Sequence, residues 1–390
     1  MTGDGSGKTK LTKKGWLATM AGVLATLILA IAYLLGGGGP DGPGGDTQPF
    51  PFVEEQAESG GEADPILVFF TAPAYPDDPA DHYGGLDEAL AADIARAELS
   101  VDVAAYDFDL ERVADALIAA YDKGLLVRLV TDSDNAEELA VQQLGDAGIP
   151  IVEDGRGAIM HDKFVVIDEQ IVWTGSWNLT ESGTYRNNNN AVRIRSDLLA
   201  ENYTVEFEEM FEDREFGPGS PANTPHRQVQ VDDGDDGDDG ILIESYFAPE
   251  DQVADRLVAL LGEAKDSIRF MAFSFTDDRL GGEMMRQYEA GLSVQGVFEG
   301  RNADPVYSEF GRMYSLDPPM DVRLDGNTYM MHHKVIILDD NAVVLGSFNF
   351  SENADTANDE NLLIIYDRGI ASLYRGEFRR VYREASEPRE

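Results

Sequence analysis

The chain has 390 residues, 73 Asp+Glu against 30 Lys+Arg, a formal net charge of −43 and no cysteine. The absence of thiols excludes disulfides, thiolate nucleophiles and thioether lipid anchors. So acidic a chain repels nucleic acid and anionic lipid at ordinary ionic strength, but at about 1 M salt the Debye length is roughly 3 Å and that repulsion nearly vanishes. Scarce lysine and abundant aspartate match a protein kept hydrated in strong brine, a halophile's surface; an acidic secreted protein is the blander alternative.

Residues 1–15 form a basic tail with Lys8, Lys10, Lys13 and Lys14. Trp16–Leu35 follows without a single charge, and about 20 apolar residues suffice for a membrane-spanning helix. No Lys or Arg appears again before Arg96, so the positive-inside rule places the tail in the cytoplasm and the remainder outside the cell. A cleaved signal peptide is the rival reading, with Ala30-Ile31-Ala32 as the cleavage site. Residues 36–64, rich in Gly and Pro and then acidic, read as a flexible tether.

A first domain is expected over 65–213. Ile66–Thr71, Leu99–Ala105, Leu125–Thr131 and Pro150–Glu153 read as strands; Leu86–Ala97, Leu110–Lys123 and Ala136–Ala147 read as helices. Residues 214–240 read as an acidic linker. Its Asp/Gly run has glycine where an EF-hand needs alternate carboxylates, so it is read as solvated chain and no metal site is assigned. The second domain, 241–386, repeats the first: Ile241–Phe247 echoes Ile66–Phe70, Ser267–Phe275 echoes Ser100–Phe108, and Leu292–Phe298 echoes Leu125–Val130. Alternating strands and helices in two copies predict two similar α/β sandwich domains from an internal duplication, related by a pseudo-twofold axis and preceded by one transmembrane helix.

The strongest repeat is chemical. His161, Lys163, Asp168, Gly175, Ser176 and Asn178 recur at the same spacing as His332, Lys334, Asp339, Gly346, Ser347 and Asn349, the pattern HxK(x)4D(x)6GSxN. Each copy reads as a hairpin, Phe164–Ile167 with Ile171–Thr174 and Val335–Leu338 with Ala342–Leu345. Residues i and i+2 of a strand share a face, so each His points with its Lys, and GSxN returns a hydroxyl and an amide to the same end. Imidazole, ammonium, hydroxyl and amide N–H suit a phosphate. A lone histidine is more often structural. Here three of five histidines, and two of the four lysines beyond residue 14, fall in the two motifs. Asp168 and Asp339 lie at the hairpin turns, where fixing the turn is favoured over direct chemistry. His333 alternates away from His332 and reads as structural; His82 and His226 sit in loops.

The doubled motif resembles the phospholipase D superfamily, over roughly residues 66–385. That resemblance implies a cofactor-free, two-step course in which one His attacks phosphorus to form a phosphohistidine and the other protonates the leaving alcohol. Lys163, Lys334, Asn178 and Asn349 would hold the phosphoryl oxygens, helped by Ser176 and Ser347. Relatives commonly carry a carboxylate that braces the His, 28 residues after it. Glu360 fits that place in the second half, and Asn189 departs from it in the first. A carboxylate raises the pKa of the His it braces, so His161 is expected as the neutral nucleophile and His332 as the protonated acid. Asn190, in register with Asn361, reads as a loop organiser.

With one His from each half, the expected site is shared and the chain suffices as a monomer. The expected activity is hydrolysis of phospholipid headgroup phosphodiesters by a membrane-anchored enzyme. The alternatives are a nuclease of the same superfamily, because Met331–Tyr366 also resembles its small bacterial endonucleases, a phosphatidyltransferase, or a non-catalytic phosphate-binding module. Few basic residues lie near the motifs: Arg156, Arg186, Arg301 and Arg323.

Overall fold

The computed structural model describes residues 64–232, 240–303 and 306–386. The basic tail, the apolar run Trp16–Leu35, nearly all of the tether and most of the Asp/Gly run lie outside the described residues. Among the described residues no helix is long and apolar enough to cross a membrane.

Each repeat folds into one mixed sheet. In the first, β1 (Ile66–Phe70), β2 (Ser100–Ala105), β3 (Leu126–Thr131), β4 (Ile151–Glu153), β5 (Lys163–Ile167), β6 (Ile171–Gly175) and β8 (Asn190–Arg195) stand in the order β1-β8-β6-β5-β2-β3-β4, while β7 (Asn187–Asn188) lies apart. The second repeat supplies β10 (Ile241–Ala248), β11 (Ser267–Ala272), β12 (Ser293–Phe298), β13 (Asp321–Leu324), β15 (Lys334–Leu338), β16 (Ala342–Gly346) and β17 (Glu360–Tyr366) in the matching order β10-β17-β16-β15-β11-β12-β13. In both, three neighbouring strands are parallel, β2-β3-β4 and β11-β12-β13, and the motif hairpin is antiparallel.

One difference departs from the expected linker. Gln228–Val231, β9, pairs with β10 as an edge strand. Val229 and Val231 are buried between exposed glutamines, a period-two pattern of the kind that makes a half-buried strand.

The outer face of each sheet carries its own helices and core, around Leu90, Val113 and Leu117 in the first lobe and Leu257, Phe270 and Met284 in the second. The inner faces share a third core. The helices Asp197–Glu208 and Arg368–Glu384 pack there, and Tyr203, Phe207, Tyr374 and Phe378 join Val166 and Val172 to Val335, Leu345 and Phe247. The lobes are therefore welded by apolar burial, which removes each inner face from water only when both are present. The junction is reciprocal at its polar end. β7 pairs in parallel with β14 (Met330–Met331), while Met160 bridges Asp359. His332 N–H donates to the Asn188 carbonyl and His161 N–H to the Asp359 carbonyl, each at 2.9 Å. These paired contacts give the pseudo-twofold relation expected of the duplication.

Candidate active site

Both motif hairpins turn through two successive residues in the left-handed region: Asp168 and Glu169 at φ 55° and 54°, Asp339 and Asp340 at 52° and 51°. Each tight turn is closed by a backbone bond, Gln170 N–H to the Ile167 carbonyl at 3.0 Å and Asn341 N–H to the Leu338 carbonyl at 2.9 Å, and its left-handed residues match the twist of the flanking strands. The Asp168 carboxylate accepts the backbone N–H groups of Glu98, Leu99 and Ser100, and Asp339 those of Lys265, Asp266 and Ser267. These bonds fasten the turn to the start of the neighbouring strand. Both aspartates sit at the far end of the hairpin, five strand residues or roughly 17 Å from the His–Lys end. They do not belong to the site.

At the near end the expected set converges. His161 and His332 are each 5 % exposed, and Lys163 and Lys334 are buried beside them. Each imidazole lies within electrostatic reach of both ammoniums, and His332 of His161. Lys163 Nζ donates to the His161 carbonyl at 2.7 Å and Lys334 Nζ to the His332 carbonyl at 3.0 Å, so each lysine is folded back beside its own histidine.

The bracing of the histidines differs from expectation. Glu360 accepts Nδ1–H of His161, not of His332, at 2.7 Å. His332 Nδ1–H donates instead to the Asn189 side-chain oxygen at 2.9 Å and the Ser176 carbonyl at 3.0 Å. The braces cross between lobes because Asn358–Asp359, just before β17, lies against Ile159–His161 of the first lobe. Glu360 therefore leaves the junction facing the opposite histidine. The expected rise of the His332 pKa is reversed as well. Burial, then the ammoniums of Lys334 and Lys163, hold it well below the usual imidazole range. Burial and the same two lysines lower His161 likewise.

The serines also differ from expectation. Ser347 Oγ donates its one proton to Glu360 at 2.7 Å, and Ser176 Oγ donates its proton to Asn189 at 2.8 Å; each hydroxyl accepts a backbone N–H in return. Neither has a proton left for a phosphoryl oxygen; both orient the braces. The glycines before them are needed for the same contact. Gly175 and Gly346 sit at φ 151° and 147°, and a Cβ would meet the carbonyl of Asn190 at 2.3 Å or of Asn361 at 2.2 Å. Asn178 and Asn349 remain available, since both are half-buried and their side-chain amides make no hydrogen bond among the described residues, which leaves their N–H groups free to donate.

Burial sets the remaining charges. It pulls Lys163 down to about 8, against the opposing pull of Glu360, Asp162, Asp107 and Asp132. It pulls Lys334 well below its usual range, with Lys163 adding repulsion. It pushes Glu360 up to about 7. A phosphodiester entering here brings the negative charge that favours both ammoniums.

Several residues at the site escaped the sequence reading. The Tyr106 ring stands 5.0 Å from His161 and 5.0 Å from Lys163 Nζ; Phe273 stands 4.6 Å from His332 and 4.6 Å from Lys334 Nζ. The half-buried Asp107, pushed up to about 6 by burial and acidic neighbours, lies within reach of Lys163. The signal was present in the repeat, where Ala105-Tyr106-Asp107-Phe108 aligns with Ala272-Phe273-Ser274-Phe275. The four nearby arginines are all engaged within the protein: Arg156 with Asp359, Arg186 with Asp77, Arg301 with the Thr328 carbonyl, and Arg323 over the Tyr382 ring.

Two imidazoles and two ammoniums brought together by two look-alike lobes define a phosphodiester hydrolase. The family described as cardiolipin synthase, PLD-like domain matches residues 90–211 and 257–382, more than half of the chain, and the protein belongs to this branch of the phospholipase D superfamily. It is 28 % identical over 152 residues to a mitochondrial cardiolipin hydrolase of Xenopus tropicalis, covering 38 % of this chain and 71 % of that one. It is 29 % identical over 133 residues to a phospholipase D of Rickettsia prowazekii (strain Madrid E), covering 34 % and 63 %. The solved phosphatidylserine synthase of Haemophilus influenzae Rd KW20 shares the fold across both lobes, with a TM-score of 0.60 at 15 % identity over 85 % of this chain and 90 % of that one.

Proposed function

We propose that the protein is a membrane-anchored phosphodiesterase that hydrolyses phospholipid headgroups through a phosphohistidine on His161. The observation that carries the mechanism is the Glu360–His161 bond. It fixes the Nδ1–H tautomer and leaves Nε2 without a partner among the described residues. It also sets a carboxylate against the nitrogen whose ring becomes cationic as a P–N bond forms. The nucleophile expected from the sequence is thus retained, for a different reason.

In the first step His161 Nε2 attacks phosphorus, the P–O bond to the headgroup breaks, and His332 gives its Nε2 proton to the departing oxygen. Bound phosphate offsets the two ammoniums and lets His332 hold that proton. In the second step water loses a proton to His332 and its oxygen bonds to phosphorus. The P–N bond then breaks and His161 returns neutral. Lys163, Lys334, Asn178 and Asn349 hold the phosphoryl oxygens throughout.

The lipid substrate is supported by two observations. The relatives are named for lipid substrates, and the nearby arginines are engaged within the protein. Trp16–Leu35 would anchor the enzyme with its catalytic part outside the cell, and one chain supplies both half-sites. The test offers purified protein phosphatidyl lipids and single-stranded DNA side by side, in molar salt without divalent metal. Lipid cleavage with intact DNA is expected; cleaved DNA with intact lipid would reverse the substrate. A phosphoryl label trapped on His332 and absent from His161 would exchange the two roles.

A further inference from the structure

Between His332 and Lys334 stands a third motif histidine, His333, where the first lobe has Asp162. It is fully buried, and its hydrogen-bond directions are determined throughout. Arg380 donates to both oxygens of Glu377, at 2.6 and 2.8 Å. Burial pushes Glu377 up, but the bonds from His333 and Arg380 outweigh it and keep the carboxylate ionised. Glu377 therefore accepts His333 Nε2–H at 3.0 Å. The neutral ring keeps Nδ1 as an acceptor, which takes an N–H of the Asn190 amide at 3.0 Å. The other amide N–H goes to Ser176 Oγ at 3.2 Å, and the amide oxygen accepts the Tyr374 hydroxyl at 3.1 Å. Ser176 donates to Asn189, whose oxygen takes Nδ1–H of His332.

We infer that His333 is a positioning residue for His332, acting through Asn190, Ser176 and Asn189 to hold the imidazole in the Nδ1–H tautomer. Around His161 the matching positions are held by Asp162, Asn361, Ser347 and Glu360. There, however, the Asn361 side chain donates to Asp162, whose other oxygen has no partner among the described residues, and Asn361 reaches Ser347 only through its backbone N–H. His161 is held by the charge of Glu360 itself. The histidine braced only by a neutral amide is the one backed by a directional chain ending on an arginine. A second proton on His333 would set a donor against the Asn190 N–H and reverse the order. Glu377, Arg380 and Lys334 are the charged groups that govern that proton.

The inference rests on His332 as the acid, and the test separates the two. Asn at 333 places an amide oxygen where Nδ1 stands and can still accept from Asn190. Gln reaches the Nε2 position and serves only Glu377. Both variants are assayed on bis(4-nitrophenyl) phosphate, whose leaving group needs little protonation, and on an alkyl diester that the wild type cleaves, short-chain phosphatidylcholine or an oligonucleotide. For H333Q, kcat on the alkyl diester is expected to fall about tenfold or more, within the roughly 10²–10⁴-fold that an acid contributes. KM should hold, and the nitrophenyl rate should change little. H333N should keep most of both rates. Equal losses in H333N and H333Q, or a harmless H333Q, would overturn the inference. A loss rescued by Asn but equal on both substrates would keep the positioning role and overturn His332 as the acid. Imidazole ¹⁵N shifts of the wild type read the tautomers directly: His332 protonated at Nδ1 and His333 at Nε2 are expected, and His333 protonated at Nδ1 would refute the chain.

Discussion

Glu360 of the second lobe accepts the Nδ1 proton of His161 in the first at 2.7 Å, while Asn189 of the first lobe accepts that of His332 in the second at 2.9 Å. The two histidines are held by the same geometry and by different charges. Asn189 shows that an amide oxygen can take both the serine and the imidazole proton. E360Q should therefore keep the geometry and remove only the charge. A hydrogen bond to a charged group exceeds a neutral one by about 1.4 kcal/mol, or roughly tenfold in rate. E360Q is expected to lower kcat by about that factor or more with KM little changed. An unaltered kcat would mean that the carboxylate serves only to align the ring.

Asn178 and Asn349 are half-buried, and their side-chain amides make no hydrogen bond among the described residues. Their amide N–H groups are free to meet developing charge on phosphorus. Losing one such donor typically costs about 10²–10³ in kcat. N178A and N349A should approach that loss while melting close to wild type. A fall in melting temperature that matched the loss of activity would assign these residues to the fold.

Asp168 and Asp339 carry the letters of the motif but sit at the opposite end of each hairpin. D168A leaves three backbone N–H groups without their acceptor, two of them exposed to water that can replace it. A loss of about 1–3 kcal/mol in stability is expected, with kcat per folded molecule unchanged. Denaturant unfolding, paired with active-site titration, measures both. A large fall in kcat at unchanged stability would return the aspartate to the chemistry.

Beside the site, carboxylates are buried in excess of their partners. Burial pushes Asp162 and Glu209 up to about 7, Glu250 and Asp359 up to about 8, and Glu206 well above its usual range. A carboxylic acid with a higher pKa folded than unfolded binds more protons in the native state between those two values. Stability therefore falls as pH rises from about 4 to about 8. Thermal unfolding should show a lower midpoint at pH 8 than at pH 5.5. D162N, which keeps an acceptor for Asn361 without the charge, should flatten that slope. A midpoint rising over this interval would contradict the shifts.

Lys163, pulled down to about 8, predicts an alkaline limb in kcat/KM near that pH, because phosphate binding weakens as the ammonium loses its proton. Inhibition by inorganic phosphate should weaken over the same range. A profile flat to pH 9.5 would show that the lysine stays charged.

The amino-acid order alone determined the duplication, the two hairpins and which imidazoles and ammoniums come together at the junction of the lobes. Those follow from local rules: strand alternation, turn geometry and a repeated spacing of rare residues. Even the turn role of the aspartates was legible, because a short carboxylate at a left-handed hairpin position finds neighbouring backbone N–H groups. Tertiary structure alone decided which brace serves which histidine, that both serines have no proton left for substrate, and that His333 is tied to His332. Spacing along a chain locates Glu360 near the end of its own strand, but only the docking of two lobes over a shared apolar core determines which imidazole faces it. That docking depends on the summed burial of both inner faces, a property of the assembled molecule that no stretch of sequence carries.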